Sequence, residues 1–398
     1  MITDLKKLLG IVLALLPFIT AADTQITVKA AIEQRSFLQD PLYSGQYNSQ
    51  LSAFIEPEIY HSWNDETDSI TFKPFYRWDQ RDSERSHGDI RELMWLHVGE
   101  DWELRTGIGI VYWGQAESLH LVDVINQTDL VEALDGEDKL GQPMVNLTLI
   151  RDWGNLDLFV LPGFRERTFP GLKGRFRPEF EINQDNAIYE SSAEDRHIDY
   201  AIRWSHTLDV WDIGLSYFNG TARDPSFVAN SVNNKISLTP YYGQMEQLGI
   251  DLLMAIDDWL YKFEGIYRDV SQQQSYFSGV AGFEYTSVGI FDTVWDLGWL
   301  LEYQFDNDHH PQPVDKNALM LGTRLALNDI NGSEVLLGYV QDLDYAASHT
   351  GFIEASSRIN DNWKWRIDAW FLASNNMQDI IYNIRQDDYI QISLEYYF

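Results

Sequence analysis

The chain has 398 residues, no cysteine and a formal net charge of −32 at pH 7, from 61 acidic against 29 basic residues. Lack of cysteine excludes disulfides and thiolate metal sites, and the acidic balance excludes global binding of nucleic acid or anionic lipid. Aromatic residues at 14%, including 14 Trp and 21 Tyr, set it apart from acidic disordered chains and suit the interfacial girdles of a membrane barrel.

At the N-terminal end Lys6 and Lys7 precede an apolar run from Leu8 to Ile19, and Thr20-Ala21-Ala22 supplies small residues. This order is that of a secretory signal peptide, expected over residues 1–22, with the exported unit 23–398 beginning at Asp23. The run is too short for a transmembrane helix. No other stretch approaches about 18 uninterrupted apolar residues, so a helical membrane protein is excluded.

From there on, period-two alternation recurs. Strands are predicted over 26–36, 50–60, 69–78, 90–98, 102–112, 144–152, 155–162, 197–206, 210–219, 236–256, 258–269, 276–287, 294–305, 316–327, 333–342, 350–359, 363–373 and 388–398. Alternation is muddled in 90–98, and 236–256 is long enough to hold a bulge or break at Gly243. In 295–305, Trp295, Leu297, Trp299, Leu301, Tyr303 and Phe305 alternate with polar residues that include Asp296, Glu302 and Gln304. Full charges opposite an aromatic face require a spacious wet side, which is a lumen.

Connections alternate between short and long. Tight turns are expected at 99–101, 153–155, 257–258, 328–332 and 360–362, and long links at 37–49, 79–89, 113–142, 163–196, 220–235, 306–315 and 374–387. Short periplasmic turns opposite long extracellular loops are the habit of bacterial barrels. The fold expected is therefore all-β, a single transmembrane antiparallel barrel of about 18 strands, with about 16 as the alternative.

Loop 113–142 carries Ser118 as a candidate N-cap and Leu119, Val122 and Ile125 at helical spacing, so a short helix is expected there. Its apolar anchors favour folding into the barrel over an external cap or a latch onto a neighbouring protomer. Its acids are Glu117, Asp123, Asp129, Glu132, Asp135, Glu137 and Asp138. Loosely held divalent cations among lipopolysaccharide head groups are the most they imply. The run 135–138 lacks the ligand spacing of a calcium loop, so no dedicated cofactor or metal site is expected.

Loop 163–196 places Arg165, Arg167, Lys173, Arg175 and Arg177 within thirteen residues, interleaved with Phe164, Phe169, Phe176 and Phe180. Two readings fit. The basic residues face Asp123, Asp129 and Glu132 across the pore mouth, or they pair with nearby carboxylates and hold the loop. On the strands, Arg105, Arg203, Arg268 and Arg324 point inward and are further pore-lining candidates, and Glu264 and Glu302 are among the acids that also point inward. Nine histidines offer no metal-binding His-Glu-x-x-His motif and no nucleophile partner, and His309-His310 reads as a loop pair, so an enzyme is not expected.

At the C-terminal end Ile390, Ile392, Leu394, Tyr396 and Phe398 share one face, with Gln391, Ser393 and Glu395 on the other. A closing strand ending in Phe398 resembles the signature that barrel-assembly machinery reads in bacterial outer-membrane β-barrels. The stretches Leu104-Arg105-Thr106-Gly107, Val111-Tyr112-Trp113-Gly114 and Asp123-Val124-Ile125-Asn126, with 164–171 and 220–225, resemble uncharacterised porin-like outer-membrane proteins of Gram-negative bacteria. The resemblance implies location in the outer membrane, contact with its lipid and lipopolysaccharide, and passive passage of small polar or charged solutes. It implies no nucleic-acid partner, and a homotrimer, common among porins of this size, is its expected assembly. Loop 163–196 is long enough for a receptor or adhesin as the rival class, and a barrel-embedded hydrolase is a weaker rival.

Overall fold

The computed structural model describes residues 24–232, 235–307, 317–379 and 381–398; the expected signal peptide and the His309-His310 pair lie outside them. The strands are β1 (Thr24–Phe37), β2 (Ser49–Trp63), β3 (Asp68–Asp79), β4 (Gly88–Val98), β5 (Trp102–Gly109), β6 (Gln142–Arg151), β7 (Gly154–Pro162), β8 (Glu181–Ile182), β9 (Ile188–Tyr189), β10 (Ile198–Leu208) and β11 (Trp211–Thr221). They continue as β12 (Ser226–Val232), β13 (Lys235–Tyr242), β14 (Gln244–Ile256), β15 (Trp259–Val270), β16 (Tyr276–Ser287), β17 (Asp296–Asp306), β18 (Asn317–Ala326), β19 (Glu334–Asp342), β20 (His349–Arg358), β21 (Trp363–Ala373) and β22 (Tyr389–Tyr397).

Eighteen of these strands form one antiparallel sheet, each paired with its neighbours, and β8, β9, β12 and β13 stand apart. The sheet closes into a barrel where β1 meets β22, in register from Lys29 opposite Tyr397 to Phe37 opposite Tyr389. The side-chain period explains which face is wet. Ile32, Leu248, Tyr267, Leu321 and Ile392 lie exposed on the outside, while Glu33, Gln247, Met320 and Ser393 beside them are buried inside. An apolar exterior around a polar interior inverts the soluble pattern and is the wall that hydrocarbon requires.

Every strand predicted for the barrel is present, which settles the count at 18 rather than 16. Two predicted segments behave differently. Segment 236–256 divides at Gly243: β14 enters the wall, whereas β13 pairs with β12 and lies parallel to β8 and β9. The barrel pairing of β11 with β14 starts only at Thr221 opposite Gln244, so β12, in a region expected as loop, and β13 rise above the rim. In β4 the register shifts: Lys73 faces Glu92, but Pro74 faces Ile90, leaving Arg91 as the extra residue of a β-bulge. Asp89 and Arg91 are buried before the shift and Met94 after it, which is why the alternation reads as muddled.

Connections at one end are short, such as 209–210 and 257–258, where Asp209 and Asp257 adopt φ of 57° and 52° to turn tight hairpins. The other end carries the long connections, among them 110–141 and 163–180.

Candidate permeation site

The connection between β5 and β6 runs into the barrel and crosses it. Its Trp113, Val122, Val124 and Ile125 are buried in one apolar cluster with Phe159, Leu161, Phe218 and Ile266 of the wall. The inward placement expected for this loop is what the structure has; the short helix after Ser118 is not. Backbone amides that would have bonded along a helix turn to two wall carboxylates instead. Glu264 accepts from the N–H groups of Gln115 (2.7 Å), Ala116 (2.9 Å), Leu121 (2.9 Å) and Val122 (3.3 Å). Glu302 accepts from those of Glu117 (2.9 Å) and Ser118 (2.8 Å) and from the Ser118 hydroxyl (2.5 Å). The approach is so close that a Cβ on Gly114 would sit 2.5 Å from the Glu264 carboxylate. Both glutamates were legible as inward residues; their role as a cradle was not.

Further along, the loop is fixed by ion pairs. Asp129 Oδ2 receives Arg91 (2.7 Å) and His87 Nε2 (2.9 Å), and its Oδ1 accepts from the Thr168 hydroxyl at 2.8 Å. Burial opposes ionisation of Asp129, but the His87 contact and the Arg91 charge outweigh it and hold the carboxyl down to about 2. Glu132 is held by Arg77 at 2.6 Å, and Arg77 also pairs with Glu33. Arg85 binds Asp79 (2.9 Å) and the Val131 carbonyl (2.9 Å). Asp123 accepts from the backbone of Trp113 at 2.6 Å and so braces its own loop.

These contacts divide the lumen unequally. The apolar cluster fills part of the side of β6, β7, β10, β11, β14 and β15, and a cavity of about 420 Å³ lined by Gln115, Arg203 and Asp251 lies below it toward the short turns. Facing the remaining wall, Glu137 and Asp138 are exposed toward a cavity of about 300 Å³ that Lys29, Arg77, Arg366 and Glu354 also line. Burial inside the barrel, with repulsion from Glu132 and Asp135, pushes the Asp138 carboxyl up to about 7. One edge of the cavity is thus acidic loop, and the other is wall of mixed charge, where Lys29 pairs with Glu395, Arg77 with Glu33 and Arg366 with Asp368.

The basic residues of the 163–196 connection lie elsewhere. Arg165 binds Asp89 (2.8 Å), Arg167 binds Asp224 (2.6 Å) and Arg175 binds Asp387 (2.5 Å). Arg177 donates to the Pro178 and Glu179 carbonyls at 2.9 and 3.0 Å, and Lys173 is exposed. Phe164 packs on Tyr242 at 4.8 Å and Phe176 on Tyr389 at 5.3 Å, so the segment is pinned across the mouth from one side to the other. None of these residues meets Asp123, Asp129 or Glu132 in an ion pair among the described residues. On the strands, Arg203 grips Asp251 with two bonds (2.6 and 2.8 Å), Arg268 reaches Asp224 (3.1 Å), Arg324 reaches Glu117 (2.8 Å) and Arg105 reaches Glu103 (2.6 Å).

Arg85 and Arg91 were not among the sequence candidates. Their signal was the run from Asp79 to Glu92, where acidic and basic residues recur every few positions. His87, Asp129 and Glu132 bring three ligand atoms within 4.8 Å, but guanidinium groups already balance both carboxylates, which leaves little for a cation to neutralise.

No family model and no curated protein matches the chain. Solved structures do. A mutant porin of Rhodopseudomonas blastica covers 94% of this chain and 100% of its own at 11% identity and a TM-score of 0.47. OmpT, an outer-membrane protein of Vibrio cholerae in its trimer form, covers 94% and 99% at 10% identity, also at 0.47. The chain is thus similar to porin structures over nearly its whole length, while its barrel stands on its own strand pairing.

Proposed function

We propose that the protein is a porin-like channel of the bacterial outer membrane, through which small polar or charged solutes diffuse passively. The observation that carries this reading is the divided lumen: the inward loop crosses an 18-strand barrel and leaves charged cavities beside it. A hydrated lumen lined by charges of both signs favours polar solutes over lipids. In this reading Asp135, Glu137 and Asp138 form the acidic loop edge, the Lys29–Glu395 and Arg366–Asp368 pairs face them from the wall, and Arg324 lies farther along it. Arg165, Arg167, Arg175 and Arg177 act chiefly as struts across the mouth.

The short-turn end then faces the periplasm and the long loops face outward, in contact with lipopolysaccharide. Phe398 presents the closing strand to the assembly machinery, and a homotrimer is the expected assembly, to be read by light scattering of the detergent-solubilised protein. Liposome swelling tests the reading: proteoliposomes should swell in small sugars and amino acids and progressively less as solute size rises. Folded protein that gives no swelling with any of these solutes would refute it.

A further inference from the structure

Another cavity, of about 280 Å³, lies on the opposite side of the inward loop, between it and the β14–β17 wall. Lys139, Arg167, Arg268, Asp224, His120 and Tyr276 are among its lining residues. Lys139 is the unusual member. It is 7% exposed, and its Nζ makes one hydrogen bond, to the Thr128 hydroxyl at 3.3 Å. Among the described residues no carboxylate lies within ion-pair distance of it, whereas the wall bases mostly have such partners. Three carboxylates share the cavity and each already has donors: Asp224 has Arg167 (2.6 Å) and Arg268 (3.1 Å), Asp123 the Trp113 backbone N–H (2.6 Å) and Asp306 the Ser278 hydroxyl (2.5 Å). A buried ammonium with no carboxylate in contact is costly in a folded protein, and a bound anion relieves that cost.

We propose that this cavity is a binding site for a compact oxyanion, carboxylate or phosphate, held by the Lys139 ammonium with Arg167 and Arg268 beside it. Burial and the nearby Arg167 charge lower the Lys139 pKa against the pull of Asp123, and an anion at the site would restore it. The Thr128 hydroxyl stands ready as a second donor. Because the cavity lies on the long-loop side, it would capture the acidic end of a solute before the narrow passage. That use rests on the channel reading; the binding itself does not.

Isothermal titration of the folded full chain in detergent with succinate, and separately with inorganic phosphate, tests the site. Binding of at least one is expected, with Lys139→Gln weakening it about tenfold, the value of one charge-assisted hydrogen bond. Lys139→Arg should retain most of the affinity. Heat-modifiable migration on gels establishes that each variant is folded. Absence of binding by the wild type overturns the proposal, as does equal affinity in Lys139→Gln or equal loss in both variants. Succinate bound without phosphate, or the reverse, supports the site and identifies its oxyanion. Failure of the channel reading would show separately, as folded protein that binds the anion but passes no solute.

Discussion

Two carboxyls on one loop titrate in opposite directions because their neighbours differ. Asp129 is buried but paired, and is held down to about 2; Asp138 is surrounded by protein and other acids, and is pushed up to about 7 although its side chain opens toward the lumen. Asp138 therefore carries its charge above neutral pH and loses it below. Acidifying a bilayer bath from about pH 8 to about pH 6 should move the reversal potential away from cation preference, and Asp138→Asn should flatten that change. An unaltered pH response in Asp138→Asn would contradict the assignment. For Asp129 the sign is reversed. Its folded value lies below the ordinary value of about 3.9, so its hold on the loop is complete above that pH and is lost only as pH falls through the folded value. Mild acid should leave this latch closed.

Elements show how the loop is kept inside. The Glu264 and Glu302 carboxylates pair six backbone N–H groups of the loop, and each one left unpaired in a buried setting costs about 1–3 kcal/mol. Replacing both with alanine should loosen the segment. The chain has no cysteine, so Ala116→Cys gives a clean reporter at a buried position. Its thiol should resist labelling in the parent background and react about tenfold faster or more when both glutamates are alanine. Equal rates would rule out the cradle. Arg77 is the complementary case. Arg77→Met leaves Glu132 buried without a guanidinium partner and Glu33 with Arg85 alone at 3.4 Å, and should cost about 3 kcal/mol or more, whereas Arg366→Met, at a partly exposed pair, should cost about 1 kcal/mol or less. Thermal unfolding in detergent distinguishes the two, and comparable losses would contradict this ranking.

At the scale of the whole molecule, the wall was legible because a barrel writes itself into sequence as a dyad repeat. Ile390, Ile392 and Leu394 against Gln391 and Ser393 fix a face without reference to any other strand. The bulge at Arg91 hid one strand's pattern, since an extra residue exchanges the faces, and the β12–β13 hairpin was read as loop and wall because its alternation resembles theirs. The interior was less legible for a different reason. That Glu264 and Glu302 point inward follows from period two, but that they hold Gln115 to Val122 depends on a loop reaching across the barrel, and no local spacing encodes that distance. Likewise Arg165 to Arg177 announce a basic segment without naming Asp89, Asp224 and Asp387 as its partners.

The central claim is that a folded 18-strand barrel remains open along one side of its inward loop. Single-channel recording in planar bilayers tests it most directly. The folded protein should give discrete, ohmic conductance steps, larger when Glu264 and Glu302 are both replaced by alanine. Folded, inserted barrels that pass no current, in the parent and in that variant alike, would contradict it.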